Sequence, residues 1–270
     1  MDVIVTGIPR SGTTLTCALI DSLGDSVCLS EPPWQEDWPR QMPDARSYVD
    51  RLCGDFVETR KILLAGGSVE DRRHIDGSAI TDYHTSATGR ESRDVSAAVS
   101  FSRQGLSADF LLGMKHNAHF SCVLDDLVEC GRFRIVAVVR HPLAVIRSWR
   151  ALDLPISRGR LPAGERFWPE LAAITASTND VLLRQVRIYE LFCARYARLA
   201  DRITLLRYEN IVADPGLVAR GFAKHPVRAI SVRAISVRAV ATTAQDADAG
   251  RIAARLRDLA PCACTFYPDI

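Results

Sequence analysis

The chain alternates short, wholly apolar runs with longer segments whose apolar residues recur every three or four positions. Residues 3–6 (VIVT) precede a glycine-containing turn, and in residues 13–23 Leu15, Leu19 and Ile20 share one helical face. The first pattern predicts a strand buried on both faces, the second a helix packed on it. Residues 26–29 read as a second strand, stopped at Ser30-Glu31-Pro32-Pro33 because proline lacks the N–H that a sheet ladder needs. Further strands are expected at 110–114, 134–139 and 203–207, with helices over 120–129 and 143–150 and a turn at Asp214-Pro215. Strands alternating with helices imply a parallel sheet with right-handed crossovers, which gathers the residue after each strand along one edge. Arg10, Glu31, Lys115, Arg140 and Tyr208 are therefore expected to converge.

Two stretches lack this alternation. Residues 32–109 are rich in Trp, Asp, Arg, Gly and Ser, with helical patches near 46–65, and read as an irregular, partly helical cap where an acceptor would bind. Trp34, Trp38, Tyr48 and Tyr83 either line a pocket there or belong to local core. Residues 217–270 are divergent, and 227–240 (VRAISVRAISVRAV) repeat about every five residues, a period that matches neither 3.6 nor 2. A local duplication forming a loop or irregular helix is the plain reading. The expected architecture is one α/β domain over 1–270, a three-layer P-loop-like fold with a central parallel sheet. Its core is carried by 1–31 and 110–216.

Composition narrows the function classes. A formal net charge of +2 and the lack of any block of like charges argue against a nucleic-acid partner. Only Lys61, Lys115 and Lys224 are lysines, so a lysine beside a motif stands out. The eight cysteines show neither paired CxxC spacing nor a histidine-completed set, so no metal site and no disulfide framework is expected. Cys17, Cys122 and Cys193 fall in apolar helical patterns and read as packing residues. The glycine turn begins within seven residues of Met1, and no stretch has the ~18 apolar residues of a membrane span. A soluble, cytoplasmic protein is expected, with no membrane segment.

Residues 7–15 (GIPRSGTTL) carry the chemistry. Gly7 and Gly12 have P-loop spacing, so backbone N–H groups can turn inward around an anion at a helix N-terminus. Thr13 stands where a triphosphate site has lysine, and the cation appears instead at Arg10. Ser11, Thr13 and Thr14 offer hydroxyls. A second anion site is expected from Arg140 and Ser148, eight residues apart across a strand-to-helix turn. A Mg–triphosphate enzyme needs a carboxylate at the end of a neighbouring strand, yet the strand over 134–139 runs into Arg140.

These motifs resemble those of the sulfotransferases that use 3′-phosphoadenosine-5′-phosphosulfate (PAPS). PRSGTTL (9–15) looks like the family's 5′-phosphosulfate loop. VVRHPLAVIRSW (138–149) is similar to its 3′-phosphate motif, with Arg140 and Ser148 at the family's spacing, and RYENIVADP (207–215) resembles the family's downstream RYEDLVADP. The closest local resemblance is to protein-tyrosine sulfotransferases and bacterial relatives. It implies transfer of a sulfuryl group from PAPS, without a metal, to a hydroxyl or amine of a small-molecule or carbohydrate acceptor. It further implies Glu31 as general base, Lys115 and Arg10 at the transferring group, and PAPS bound by Arg10, Ser11, Gly12, Thr13, Thr14, Arg140, Ser148 and Tyr208.

Other readings stay open on sequence alone. Cytosolic sulfotransferases use a histidine two residues after the strand-terminal lysine, where this chain has Asn117. His116 and His119 flank that register, and His116 is the alternative base. No basic, glycine-containing closing loop follows residue 220, although Arg228, Arg233 and Arg238 of the repeat are candidates to replace it. A P-loop kinase and a non-catalytic nucleotide-binding relative are the competing functions.

Overall fold

The computed structural model describes residues 1–74, 76–82, 84–85, 92–93, 98–222 and 247–270. The apolar runs become the strands of one parallel sheet: β1 (Asp2–Gly7), β2 (Ser26–Ser30), β3 (Leu111–Lys115), β4 (Arg134–Val139) and β5 (Thr204–Arg207). Their order is β2-β3-β1-β4-β5. From β1 the chain runs outward to β2 and returns through β3, then crosses to β4 on the other side. The carboxyl end of β1 is thus a topological switch point, the place where open α/β sheets bind ligands.

Alternation at period two decides what covers each face. Ile4, Leu112, Met114, Ile135, Ala137 and Val139 point to the larger core, and Val3, Val5, Cys28, Leu111, Val136 and Val138 to the smaller one. The helices include α1 (Thr13–Asp21), α2 (Ala45–Leu64), α3 (Asn117–Cys122), α4 (Leu124–Cys130), α5 (Pro142–Arg150), α6 (Val181–Arg198), α7 (Tyr208–Ala213), α8 (Ala247–Leu259) and α9 (Pro261–Phe266). The single helix expected over 120–129 is two, α3 and α4, hinged at Val123 with φ −106° and ψ 22°.

The cap is more regular than its composition suggests. α2 starts at Asp44, whose carboxylate accepts from the Ser47 N–H at 2.7 Å, and buries Tyr48, Leu52, Phe56 and Leu63 along one stripe. Strand Val69–Arg72 pairs antiparallel with Ala98–Phe101 and runs beside the open edge of β2. Trp38 and Tyr48 are core, 3% and 0% exposed, and the half-buried Trp34 donates its indole N–H to Asp55 at 2.9 Å. Tyr83 and the repeat over 227–240, with Arg228, Arg233 and Arg238, lie outside the described residues.

The carboxyl-terminal segment is also structured. α8 and α9 pack on α6, burying Ile252, Leu256, Ala260, Ala263 and Tyr267 completely. Glu190 of α6 accepts from the N–H groups of Cys262 and Ala263 at 2.8 and 2.9 Å, capping the first turn of α9. Cys17, Cys122 and Cys193 are buried, as their helical positions require.

Candidate active site

The turn from β1 into α1 is held open from below and above. Ser11 donates its N–H to Ile8 O at 3.0 Å and its hydroxyl to Val138 O at 2.7 Å, and the Trp149 indole donates to Pro9 O at 2.8 Å. Gly12 begins α1 with φ 96°, and a Cβ there would stand 2.3 Å from the Tyr208 ring. Only glycine satisfies both the left-handed backbone and that contact. The first helical turn leaves the N–H groups of Thr13, Thr14 and Leu15 without intrahelical acceptors, facing this mouth.

Residues from three separated motifs meet beside the loop. Arg10 donates through Nε to Ser148 Oγ at 3.0 Å and pairs with the exposed Asp82 at 3.3 Å. Arg140 donates to Arg10 O at 3.3 Å and lies over the Tyr208 ring at 4.5 Å, a cation–π contact. Arg140 is itself anchored, since the buried Tyr189 hydroxyl donates to its carbonyl at 2.5 Å. Glu209 next to Tyr208 accepts from the His141 N–H and the Tyr267 hydroxyl, both at 2.9 Å, which ties α9 to the same strand ends.

On the other side of β1 the Lys115 ammonium donates to Glu31 Oε1 at 2.6 Å. Lys115, at the end of β3, has Ser30 as its register partner in β2, and Glu31, the next residue, donates its N–H to Lys115 O at 2.8 Å. Lys115 is wholly buried, so the Glu31 carboxylate supplies the counter-charge that a desolvated ammonium needs. Glu31 has φ 51° and Arg10 has φ 72°, the left-handed non-glycine residues among those described.

Ser11, expected among the anion ligands, faces the scaffold in this structure. Its N–H and hydroxyl proton are both spent within the fold, and its side chain is completely buried beneath the loop. Thr13 donates its hydroxyl to Asn117 Oδ1 at 2.5 Å, so Asn117, which stands in the histidine register, connects the loop to the start of α3. His116 caps α3, its Nδ1 accepting from the His119 N–H at 3.4 Å, and stacks on His119 at 3.5 Å. Burial and the neighbouring His116 push His119 down to about 2, which keeps it neutral.

Sequence reasoning missed a buried charged network under β2. Asp21 accepts from the Cys28 N–H at 2.9 Å and Asp71 from the Ser30 N–H at 2.8 Å. Arg73 bridges them, with Nε on Asp71 at 2.7 Å and Nη1 on Asp21 at 2.8 Å, while Nη2 reaches Cys28 O at 3.3 Å. Arg103 donates to Asp21 Oδ2 at 3.0 Å. Burial works to raise the Asp21 carboxyl, but Arg73 and Arg103 overcome it and hold the group below its ordinary value.

The sequence matches the sulfotransferase family over residues 2–225, and the chain belongs to that family. The match includes the cap, which the motifs alone did not align. A sulfotransferase from Alicyclobacillus acidocaldarius, known from a crystal structure, aligns with 96% of this chain and 95% of its own at 12% identity and a TM-score of 0.40. No curated protein matches the sequence. Among the described residues no helix is long and apolar enough to cross a membrane, and no cluster of three metal-ligating side chains occurs.

Proposed function

We propose that this sulfotransferase uses PAPS as donor and transfers its sulfuryl group to a hydroxyl of a small-molecule or carbohydrate acceptor. One observation carries the reading: Arg10, Arg140, Ser148 and Tyr208, from three distant segments, converge beside the Gly12 mouth. Such an arrangement suits a nucleotide with anions at two places. The α1 N-terminus, the Thr13 and Thr14 N–H groups and Arg10 fit the 5′ group, while Arg140, Ser148 and Tyr208 fit the 3′-phosphate.

Glu31 then takes the proton of the acceptor hydroxyl as that oxygen bonds to sulfur. The bond from sulfur to the bridging phosphate oxygen breaks, and adenosine 3′,5′-bisphosphate leaves with the electron pair. Protonation of Glu31 neutralises the partner of Lys115, whose ammonium becomes available to the charge growing on the leaving oxygen. Base catalysis of this kind contributes about 10²–10⁴-fold, and a preorganised cation in a dry site adds to it.

Calorimetry with adenosine 3′,5′-bisphosphate tests the donor. Wild type should bind it without added metal and more tightly than ATP with Mg²⁺. Arg140→Ala should weaken it by about 10–100-fold, the worth of a charge-assisted hydrogen bond of about 1.5–3 kcal/mol. Undiminished binding in that variant, or a preference for Mg-ATP, overturns the two-anion reading.

A further inference from the structure

β2 is an edge strand, so the N–H and C=O groups on its outer side have no ladder partner. Strand Val69–Arg72 runs beside it without ladder pairing, and three consecutive residues reach across with side chains instead. Asp71 accepts from Ser30 N–H at 2.8 Å, Arg72 donates to Glu31 O at 3.2 Å, and Arg73 donates to Cys28 O at 3.3 Å. Asp71 and Arg73 are each 1% exposed, and Arg73 also lies against the Phe101 ring at 3.6 Å. A buried ion pair of this kind is weak evidence for stability, since apolar residues fill such volume as well or better. Its placement makes better sense as geometry. Glu31 adopts φ 51°, a strained conformation for a non-glycine residue that persists only where neighbours over-determine it.

We propose that Asp71, Arg72 and Arg73 form a positioning unit that fixes the left-handed turn at Glu31 and so holds its carboxylate on Lys115. Asp71 anchors the residue before the turn and Arg72 anchors the turn's own carbonyl. Arg73 locks Asp71 in place and ties the pair to Asp21 at the end of α1. Without them the turn relaxes toward the ordinary β region, and the Glu31 side chain swings away from the Lys115 ammonium. The proposal rests on Glu31 being the base, and the experiment below separates the two.

With three lysines in the chain, [15N]lysine labelling gives three side-chain ammonium signals, of which the one lost in Lys115→Arg is Lys115. Glu31→Gln should displace that signal by removing its counter-charge. Arg72→Ala and Asp71→Asn should displace it in the same direction, while the affinity for adenosine 3′,5′-bisphosphate stays within about twofold of wild type. Asp71→Asn turns the Arg73 contact into a donor facing a donor; if that variant fails to fold, Arg72→Ala decides alone, because this arginine, 12% exposed, stands outside the hydrogen bonds that join Asp71, Arg73 and Asp21. An unmoved Lys115 signal in Arg72→Ala overturns the proposal. So does a displaced signal that comes with lost bisphosphate binding and a collapsed melting transition, since that is general unfolding. The base assignment falls separately, by normal sulfuryl transfer from PAPS in Glu31→Gln.

Discussion

The two sides of β1 hold their strained residues in opposite ways. Arg10, on the β4 side, sits at φ 72° and spends its guanidinium on a serine hydroxyl and on Asp82, whose side chain is 59% exposed. These contacts exchange readily: an incoming anion replaces an exposed carboxylate at little cost. Glu31, on the β2 side, sits at φ 51° beside Asp71 and Arg73, which are each 1% exposed. Under the proposed function, the group that binds and releases a nucleotide has replaceable partners. The group that presents one oxygen as base is, on the same proposal, locked from beneath.

The sharpest way to break this contrast is Glu31→Gln. Turnover of PAPS should fall about 10²–10⁴-fold while bisphosphate affinity is retained, measured by transfer of radiolabelled sulfate and by calorimetry. Loss of both together would mean that the two sides are not separable. Gly12→Ala should act on the other side alone. Backbone strain costs about 1–3 kcal/mol, and the new methyl meets the Tyr208 ring, so bisphosphate binding should be lost and the melting temperature lowered. In the same variant the Lys115 ammonium signal should not move.

A smaller effect probes the floor of the base side. His119 is held neutral, with its folded value near 2 and its unfolded value near 6.5, so below the latter the unfolded chain takes up a proton that the folded protein refuses. Stability from this residue is complete above about pH 6.5 and is lost as pH falls, by up to about 1.4 kcal/mol per unit. Urea melts between about pH 7.5 and 5.5 should show a shallower acid loss in His119→Gln than in wild type. Equal slopes would assign the loss to carboxylates alone.

Much of this was legible in the residues. Continuous apolar runs located every strand of the main sheet to within a residue or so, because parallel strands buried on both faces cannot hide their composition. Gly12, Arg140 and Tyr208 were readable since strand-end motifs are local and topology delivers them to one edge. Asp21, Asp71 and Arg73 were not, because each is an ordinary charged residue whose meaning lies in a partner up to 52 residues away. Ser11 illustrates the same point: a loop hydroxyl points either to ligand or to scaffold, and its acceptor here, Val138 O, comes from another strand. α6 has apolar residues at 182, 186, 189, 193 and 196 on one face, a signal present in the sequence that only Cys193 had drawn attention to.

The hydrogen bond from Trp149 to Pro9 has a practical side. Its indole is buried beside Ser148 and tethered to the loop backbone, so the ring senses the field of whatever fills the mouth. With Trp34, Trp38 and Trp168 each replaced by phenylalanine, the emission of Trp149 becomes an optical gauge of loop occupancy. Ligand entry could then be followed in a stopped-flow instrument, before any acceptor is known.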